Sequence, residues 1–261
     1  MRRGYADTQV GQIHYREAGA GEPVLLLHQT SSSSVNYERV LPILAERYRT
    51  IAMDTPGFGQ SDPPAGPPGD MRHYAAAAVG VLDALGLDRA HLVGFHTGAS
   101  IAIEVAAEHA ERVDRLVLSG ILTVETEAER QSWIEKIMHP FELDGRGDYV
   151  DAVIKPWVRY YALEDDAEQY HRELIACLQA APSWWWAQEA VLRYDGRNAM
   201  RRITRPTLIV NATDDPVYAE TVAVRDLVPG AAYVEIPGDT GALVNYPAEF
   251  AAAVEGFLAG G

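Results

Sequence analysis

A histidine placed between two glycines is the feature of this sequence that most directly suggests chemistry. Residues 91 to 102 read HLVGFHTGASIA, so His96 lies midway between Gly94 and Gly98. Two glycines at this spacing, between an apolar strand and a helix, predict a sharp turn whose central residue has an unusual backbone conformation. An imidazole at the centre of such a turn can accept or donate a proton near neutral pH.

The other histidines do not predict a metal site. The eight histidines stand at positions 14, 28, 73, 91, 96, 109, 139 and 171. No two of them have the His-x-x-x-His spacing that places two ligands on one helix face, and the single cysteine, Cys177, excludes a thiolate cluster. We therefore expect neither a metal nor another cofactor. No histidine follows residue 171, which limits the mechanisms considered below.

The elements that position these residues follow an alternating pattern. Unbroken apolar runs predict buried strands at 24–28, 50–54, 91–94, 115–120, 206–210 and 232–236. Helical spacing of apolar residues predicts helices at 75–85, 98–109 and 248–258, and period-two alternation predicts an antiparallel hairpin from 5–9 and 12–17. This order predicts an α/β fold with a mostly parallel central sheet and helices on both faces.

One helical, aromatic-rich segment interrupts the alternation between two strands. It extends from about 124 to 204 and contains all five tryptophans, Trp133, Trp157, Trp184, Trp185 and Trp186. A long insertion at this point forms either a lid over a site or an ordinary helical subdomain core. We therefore divide the chain into a core domain, 1–123 and 205–261, and a helical cap, 124–204.

Four further segments resemble the α/β-hydrolase superfamily and occur in that family's order. His28-Gln29 ends a strand where the family usually has His-Gly, and 54–62, DTPGFGQSD, is similar to its Asp-x-x-Gly-x-Gly-x-Ser turn. The stretch 211–216 is similar to the segment that carries the catalytic acid, and 236–247 to the segment that carries the catalytic histidine. The resemblance covers nearly the whole chain and implies the α/β-hydrolase fold. We expect Asp54 to organise its own turn rather than take part in chemistry.

The chain departs from the family pattern at two catalytic positions. His96 stands where the family has a serine, cysteine or aspartate nucleophile, and Thr240 or a direct neighbour stands where it has the histidine. A triad in the order nucleophile, acid, histidine cannot be assembled, because no histidine follows residue 171. The ordinary acyl-enzyme mechanism is thus excluded unless a distant histidine and serine substitute. Asp215 remains as the better of two adjacent acid candidates, Asp214 and Asp215.

Three interpretations of His96 stay open from the sequence. In the first, the site has decayed and His96 only occupies the turn, since histidine tolerates positive φ. In the second, His96 is a general acid or base oriented by Asp215, and Thr240 leaves space for its ring. In the third, His96 is a covalent nucleophile or a base that activates water for direct hydrolysis.

The resemblance also implies where an oxyanion would be stabilised. The family uses the N–H of the residue after the nucleophile, here Thr97, and an N–H of the loop after the first central strand, here Gln29 or Thr30. The Gln29 amide either donates to a ligand or fills the hole, and the hydroxyls of residues 30–34 either line a pocket or cap a helix. The predicted oxyanion and substrate-binding residues are Gln29, Thr30, Thr97, His28, Ser31, Thr240, Trp133, Trp157 and Trp185. For His28 the alternative is a buried histidine bonded to the backbone.

Composition limits the partners of this chain. Its 261 residues contain 22 Lys and Arg against 37 Asp and Glu, a net charge of −15 that repels nucleic acid and anionic lipid. The first residues contain no apolar leader-like segment, and one cysteine favours a reducing compartment. We expect a cytoplasmic protein with a small-molecule substrate and no membrane partner, and leave a homodimer open.

The leading functional hypothesis is a cofactor-independent enzyme that performs proton transfer on a small, apolar or aromatic, carbonyl- or ester-type compound. His96, oriented by Asp215, would act as acid or base in a lyase-, isomerase- or cyclase-like reaction. One alternative is a hydrolase in which His96 activates water directly. The other is a catalytically inactive protein that binds a small molecule.

Overall fold

An eight-stranded sheet forms the centre of the computed structural model, which describes residues 1–138, 141–161, 163, 166–180 and 183–260. The strands are β1 (Arg2–Thr8), β2 (Gly11–Ala18), β3 (Pro23–Leu27), β4 (Arg49–Met53), β5 (Ala90–Phe95), β6 (Val113–Ser119), β7 (Thr207–Ala212) and β8 (Ala232–Ile236). Their order across the sheet is β1-β2-β4-β3-β5-β6-β7-β8. Strands β1, β2 and β4 pair antiparallel, whereas the pairs from β4 to β8 are parallel. The predicted α/β fold with a mostly parallel sheet is confirmed.

Helices cover both faces of the sheet. They are α1 (Val40–Leu44), α2 (Arg72–Ala84), α3 (Thr97–Glu108), α4 (Glu127–Ile137), α5 (Lys155–Val158), α6 (Ala167–Ala180), α7 (Trp185–Arg193), α8 (Gly196–Arg202), α9 (Tyr218–Val224), α10 (Ala242–Asn245) and α11 (Pro247–Leu258). Of the helices described, none is both long and apolar enough to cross a membrane.

Strand β3 shows why the predicted strands are continuous apolar runs. Leu25 and Leu27 belong to a core cluster with residues of α2 and α3, whereas Val24 and Leu26 belong to a second cluster with residues of α1 and α11. Successive side chains of a strand point to opposite faces of the sheet. A strand covered by helices on both faces is therefore apolar at every position.

The segment between β6 and β7 contains helices α4 to α8 and has two packing environments. Residues of α5 and α6 form a small separate core that includes Val158 and Cys177. Residues of α7 and α8, among them Ala190 and Met200, instead belong to the main core beside α3. The end of the predicted cap is thus part of the layer that covers the sheet, and its limits at 124 and 204 stay a prediction.

Candidate active site

The candidate catalytic residues lie at the carboxyl edge of the parallel strands. His96 directly follows β5, Gly120 directly follows β6, and Asp215 lies in the turn after β7. Gln29 follows β3 and Thr240 follows β8. Parallel strands end at a common edge, and ligands of open α/β sheets bind there.

His96 occupies a sharp turn between β5 and α3. Its φ of 51° and ψ of −112° make it the one non-glycine residue with positive φ in the part of the chain that is described. A Cβ atom on Gly98 would lie 1.9 Å from the carbonyl oxygen of Leu27, and one on Gly94 would lie 2.3 Å from the carbonyl oxygen of Gly98. Only glycine fits both flanking positions, so the structure contains the turn that the two glycines predict.

His96 and Asp215 form a hydrogen-bonded pair. His96 Nε2 lies 2.8 Å from Asp215 Oδ2, and the Asp215 side chain is 1% exposed against 17% for His96. The N–H of Val217 donates to Asp215 Oδ1 at 2.8 Å. Burial acts to raise the pKa of Asp215, but the charge of His96 and the two hydrogen bonds outweigh it and hold this pKa below its ordinary value. Asp215 is therefore ionised at neutral pH.

The Asp215 carboxylate fixes the position of the imidazole hydrogen. An ionised carboxylate only accepts hydrogen bonds, so Nε2 of His96 must carry the hydrogen that lies between them. In the neutral ring, Nδ1 then has the free lone pair, and the described residues provide no hydrogen-bond partner for it. Because His96 lines a cavity, Nδ1 is the nitrogen that can exchange a proton with a bound molecule.

Gly120 provides the space for the His96 ring. A Cβ atom on Gly120 would lie 2.5 Å from Cδ2 and 2.6 Å from Nε2 of His96. The Phe95 ring packs edge-to-face on the same imidazole, with ring centroids 4.7 Å apart. Sequence reasoning missed Gly120, although a glycine directly after the strand next to β5 was a signal that could have indicated it.

Two threonine hydroxyls lie at the expected oxyanion position. The Oγ1 atoms of Thr30 and Thr97 are 2.7 Å apart, and the Thr30 N–H donates to Thr97 Oγ1 at 3.4 Å. One hydroxyl donates to the other, which leaves the second hydroxyl hydrogen for a ligand. The N–H of Thr97 is the first amide of α3 and has no carbonyl partner within that helix. The arrangement therefore offers both hydroxyl and amide donors to an oxyanion.

The Gln29 side chain connects two loops at the edge of the site. Its Nε2 donates to the carbonyl oxygen of Thr240 at 3.1 Å. The resemblance places the missing histidine at Thr240 or at one of its neighbours, Asp239 and Gly241. One hydrogen of the Gln29 amide is thereby used within the protein, which favours the alternative in which this side chain fills space over the one in which it donates to a ligand.

A cavity of about 380 Å³ lies beside the His96 ring. This volume falls within the range of small-molecule sites. The predicted site residues that line it are Gln29, Thr30, His96, Thr97, Trp133, Trp157 and Thr240. Among the lining residues that sequence reasoning missed, three have polar side chains: Lys136, Tyr161 and Gln188. Lys136 and Tyr161 follow Trp133 and Trp157 by three and four residues, which is the spacing of one helix face and could have indicated them.

Comparison with known proteins identifies the family. The model of the family described as alpha/beta hydrolase fold matches residues 22–246. The chain belongs to the α/β-hydrolase fold family. It is 30% identical to the 2-hydroxymuconate semialdehyde hydrolase of Pseudomonas sp. strain CF600, over 95% of this chain and 90% of that protein.

Other relatives and solved structures agree with this α/β-hydrolase assignment. The 2-hydroxy-6-oxo-2,4-heptadienoate hydrolase of Pseudomonas putida is 31% identical over 82% of this chain and 79% of its own. An esterase structure from Rhodococcus sp. ECU1013 superposes with a TM-score of 0.83 at 24% identity, covering 100% of this chain and 99% of the esterase. At that identity the structural likeness shows the α/β-hydrolase fold alone.

Three residues predicted to bind substrate do not belong to the cavity wall of this α/β-hydrolase fold. His28 is buried, its Nδ1–H donates to the carbonyl of Gln29 at 2.7 Å, and its Nε2 accepts from the N–H of Thr55 at 2.9 Å. Burial lowers the pKa of His28 although the charge of Asp54 opposes the shift, so the ring is neutral and structural. Its alternative interpretation, a buried histidine bonded to the backbone, is the one that the structure supports.

The prediction that Ser31 and Trp185 contact the substrate is also wrong, because neither residue lines the cavity. Ser31 is fully buried in the loop after β3. Trp185 packs against the main core and lies edge-to-face on Trp186, with ring centroids 6.2 Å apart. A hydroxyl-rich run and an aromatic run indicate a site only where the backbone turns their side chains towards it.

Nearby polar residues of the α/β-hydrolase fold hold the loops in place. Ser33 Oγ accepts from the N–H of Val35 at 3.3 Å and caps a short helical turn. Asp54 accepts from the N–H groups of Ser34 at 2.7 Å and Gln60 at 2.9 Å. The capping interpretation of the hydroxyl run thus applies to Ser33, and Asp54 organises its own turn as expected.

Proposed function

We propose that this chain is a cofactor-independent enzyme in which His96 and Asp215 perform acid–base catalysis on a small, apolar or aromatic, carbonyl- or ester-type compound. The observation that supports it most is the 2.8 Å contact between His96 Nε2 and Asp215 Oδ2. Burying a carboxylate such as Asp215 is costly unless it is paired. A turn in which His96 had no function would gain nothing from keeping this buried carboxylate directed at it. The pairing therefore favours catalysis over the interpretation of an inactive binding protein.

The proposed chemistry begins with proton transfer to the free nitrogen of the imidazole. Nδ1 of His96 removes a proton from a carbon next to the substrate carbonyl, and the electron pair moves onto the carbonyl oxygen. The imidazolium that forms is stabilised by the Asp215 carboxylate, and the new oxyanion accepts hydrogen bonds from the Thr97 amide and the threonine hydroxyls. Return of the proton to another carbon of the enolate completes an isomerisation. In an elimination the enolate instead expels a group from the neighbouring carbon, and in a cyclisation it attacks an electrophilic carbon of the same molecule; in both cases the imidazolium gives the proton to the atom that takes up the negative charge.

A second candidate is hydrolysis, in which Nδ1 of His96 activates a water molecule instead. Relatives that are 30% identical or more over most of the chain are named as hydrolases, which supports this alternative. Incubation with 2-hydroxymuconate semialdehyde in ¹⁸O-labelled water separates the two, because hydrolysis must place the label in a product. Label in a newly formed carboxylate, which unlike an aldehyde or ketone does not exchange its oxygens with water at neutral pH, favours the hydrolase over the lyase-like reaction when it is lost in His96→Ala.

The base itself is tested with 5-nitrobenzisoxazole, a flat aromatic compound whose five-membered ring opens when a base removes the C–H proton of that ring. His96→Ala removes the base, and Asp215→Asn directs an amide N–H at Nε2 so that the ring hydrogen moves to Nδ1. Each variant is expected to lower the rate by about 10²-fold or more, the contribution typical of a positioned general base. Initial rates are followed by the absorbance of the phenolate product.

Matched controls come from the same chain. His171→Ala removes an exposed histidine of α6, and Asp214→Asn changes the exposed carboxylate next to Asp215. Both are expected to keep the wild-type rate. Wild-type turnover by a folded His96→Ala protein, checked by circular dichroism, contradicts the proposed function.

A further inference from the structure

The backbone on either side of Gly120 is fixed by hydrogen bonds to two different parts of the chain. Before it, the carbonyl oxygen of Ser119 accepts from the N–H of His96 at 2.8 Å. After it, the N–H of Ile121 donates to Oγ1 of Thr221 at 2.9 Å, and the same hydroxyl donates to the carbonyl oxygen of Ile121 at 3.3 Å. Because the missing Cβ of Gly120 leaves the space for the His96 ring, these bonds determine where that space lies.

Thr221 is a buried threonine that uses its hydroxyl outside its own helix. It lies on α9 and is 0% exposed, and its partner Ile121 is 1% exposed. A threonine within a helix commonly donates to a carbonyl oxygen one turn earlier in that helix. Buried backbone groups need hydrogen-bond partners, and Ile121 lies two residues beyond the end of β6. Its N–H and C=O groups therefore find their partner in Thr221 rather than in a neighbouring strand.

The same helix begins at the turn that holds the Asp215 carboxylate. The N–H of Val217 donates to Asp215 Oδ1 at 2.8 Å, and the N–H of Tyr218, the first residue of α9, donates to the carbonyl oxygen of Asp215 at 2.9 Å. The N–H of Thr221 in turn donates to the carbonyl oxygen of Val217 at 2.9 Å. Thr221 thus lies one helical turn from the residues that hold Asp215 and in direct contact with the backbone next to Gly120.

We propose that Thr221 is a positioning residue that holds the imidazole of His96 and the carboxylate of Asp215 in place relative to each other. Its hydroxyl fixes Gly120 beside the ring, and its helix fixes the carboxylate at Nε2. Without the hydroxyl, α9 and the segment at Gly120 can shift against each other, and a misplacement of about 1 Å costs about 10²-fold in rate. The effect on catalysis depends on the proposed function, whereas the effect on the geometry of the pair does not.

The hydroxyl is tested by variants that keep or remove it. Thr221→Val removes it at nearly constant shape, Thr221→Ala removes it without adding a methyl group, and Thr221→Ser keeps it. The matched control is Thr50→Val, because Thr50 is also fully buried and its Oγ1 donates to the carbonyl oxygen of Ala18 at 3.1 Å, near the start of β4 and away from the site.

Kinetics with 5-nitrobenzisoxazole measure the effect on the proposed base. Thr221→Val and Thr221→Ala are expected to lower kcat by between about 10-fold and about 10²-fold with little change in KM, because the base is displaced while the cavity remains. Thr221→Ser and Thr50→Val are expected to keep the wild-type kcat. A loss of rate in Thr221→Ser equal to that in Thr221→Val overturns the role of the hydroxyl.

A ¹H–¹⁵N NMR spectrum of the imidazoles measures the geometry of the pair without any reaction. The Nε2–H proton of His96, bonded to a buried carboxylate, should give a low-field signal that is missing in His96→Ala. We expect this signal in the wild type, Thr221→Ser and Thr50→Val, and its loss or a shift to high field in Thr221→Val and Thr221→Ala.

The two measurements separate the two proposals. An unchanged low-field signal in folded Thr221→Val and Thr221→Ala overturns the positioning role, whatever their rates. A signal that is lost in both variants while their rates stay at the wild-type value supports the positioning role and contradicts the proposed function. A wild-type spectrum without the signal contradicts the paired imidazole and overturns both proposals.

Discussion

The imidazole of His96 is held by neighbours that act on different parts of the ring. Asp215 binds Nε2, the Phe95 ring packs edge-to-face, and Gly120 leaves open the space beside Cδ2 and Nε2. The result is a ring with one orientation and one available nitrogen. The orientation of the imidazole therefore depends on Gly120, a residue that has no side chain.

Gly120→Ala is expected to abolish most of the His96-dependent activity. The added methyl group would lie 2.5 Å from Cδ2 of His96, so the ring must move and its contact with Asp215 is lost. The control is Gly86→Ala, because both glycines have a φ of +66° but a Cβ on Gly86 meets no atom within 4 Å. Both variants carry the same backbone strain, and only Gly120→Ala adds the collision.

Initial rates with 5-nitrobenzisoxazole and urea unfolding of the two glycine variants provide the measurement. We expect a rate loss of about 10²-fold in Gly120→Ala, comparable to loss of a general base, and a wild-type rate in Gly86→Ala. Equal rates in both variants would show that the ring does not need the space at Gly120.

The sequence predicted the site residues whose chemical type is unusual for their position. It missed the site residues whose importance comes from neighbours that are distant in the sequence. His96 and Asp215 were recognisable because they stand at fixed places in a known order of motifs. Gly120 and Gln188 were not, because their importance comes from a ring or a cavity supplied by distant elements. His28 was assigned wrongly to the cavity for the same reason.

At the scale of elements, α6 is tied to the loop after β3 through a buried carboxyl group. Glu173 is fully buried, accepts from Ser32 Oγ at 2.6 Å and accepts from Gln169 Nε2 at 3.2 Å. Burial raises the pKa of Glu173 to about 7, although these hydrogen bonds oppose the shift. Tyr161 and Cys177 lie close to the same carboxyl group. The loop held in this way also carries the cavity-lining Gln29 and Thr30.

The raised pKa of Glu173 predicts a pH-dependent stability. Between the ordinary value of 4.5 and about 7, the folded protein holds more protons on this group than the unfolded chain does. The free energy of unfolding therefore falls as the pH rises through this window. Above the window, Glu173 is ionised and the full cost of burying its charge is present. Glu173→Gln should remove this fall and gain up to about 3 kcal/mol relative to the wild type between about pH 4 and about pH 8.

Urea unfolding at several pH values measures this difference. Glu135→Gln, the same change at an exposed position of α4, is the control and should follow the wild-type profile. Parallel profiles for wild type and Glu173→Gln across the window would contradict the prediction.

The predicted elements of the sheet agree with the structure because burial on both faces leaves a direct signal in the sequence. Helices expected at 98–109 and 248–258 are observed at Thr97–Glu108 and Pro247–Leu258. The helices between β6 and β7 could be predicted only as a group. Their apolar residues are divided between a small separate core and the main core, and the pattern of one helix does not tell which of these it faces.

At the scale of the whole molecule, the net charge of −15 predicts a stabilising effect of salt. Repulsion among excess carboxylates opposes the compact state, and ions screen it over a Debye length of about 30 Å at 0.01 M and about 3 Å at 1 M. The melting temperature should therefore rise when NaCl is increased from about 0.01 M to about 0.5 M at neutral pH, by about 2–4 °C for each kcal/mol relieved. An equal osmolarity of sucrose is the control for effects other than screening. A melting temperature that is constant or falls with salt contradicts this expectation.

The pairing of His96 with Asp215 also limits how such a site can arise or disappear. A serine at position 96 has no imidazole to take its proton, since no histidine follows residue 171. A histidine at position 240 finds Asp215 Oδ2 already bound to His96 Nε2 at 2.8 Å. The first single change removes His96, the proposed base, and the second adds a histidine without a free carboxylate oxygen at Asp215 Oδ2. In evolutionary terms, conversion of this site into a serine–histidine–aspartate triad requires two substitutions. Neither single substitution gives a complete set of residues, so selection for either activity does not favour the intermediates.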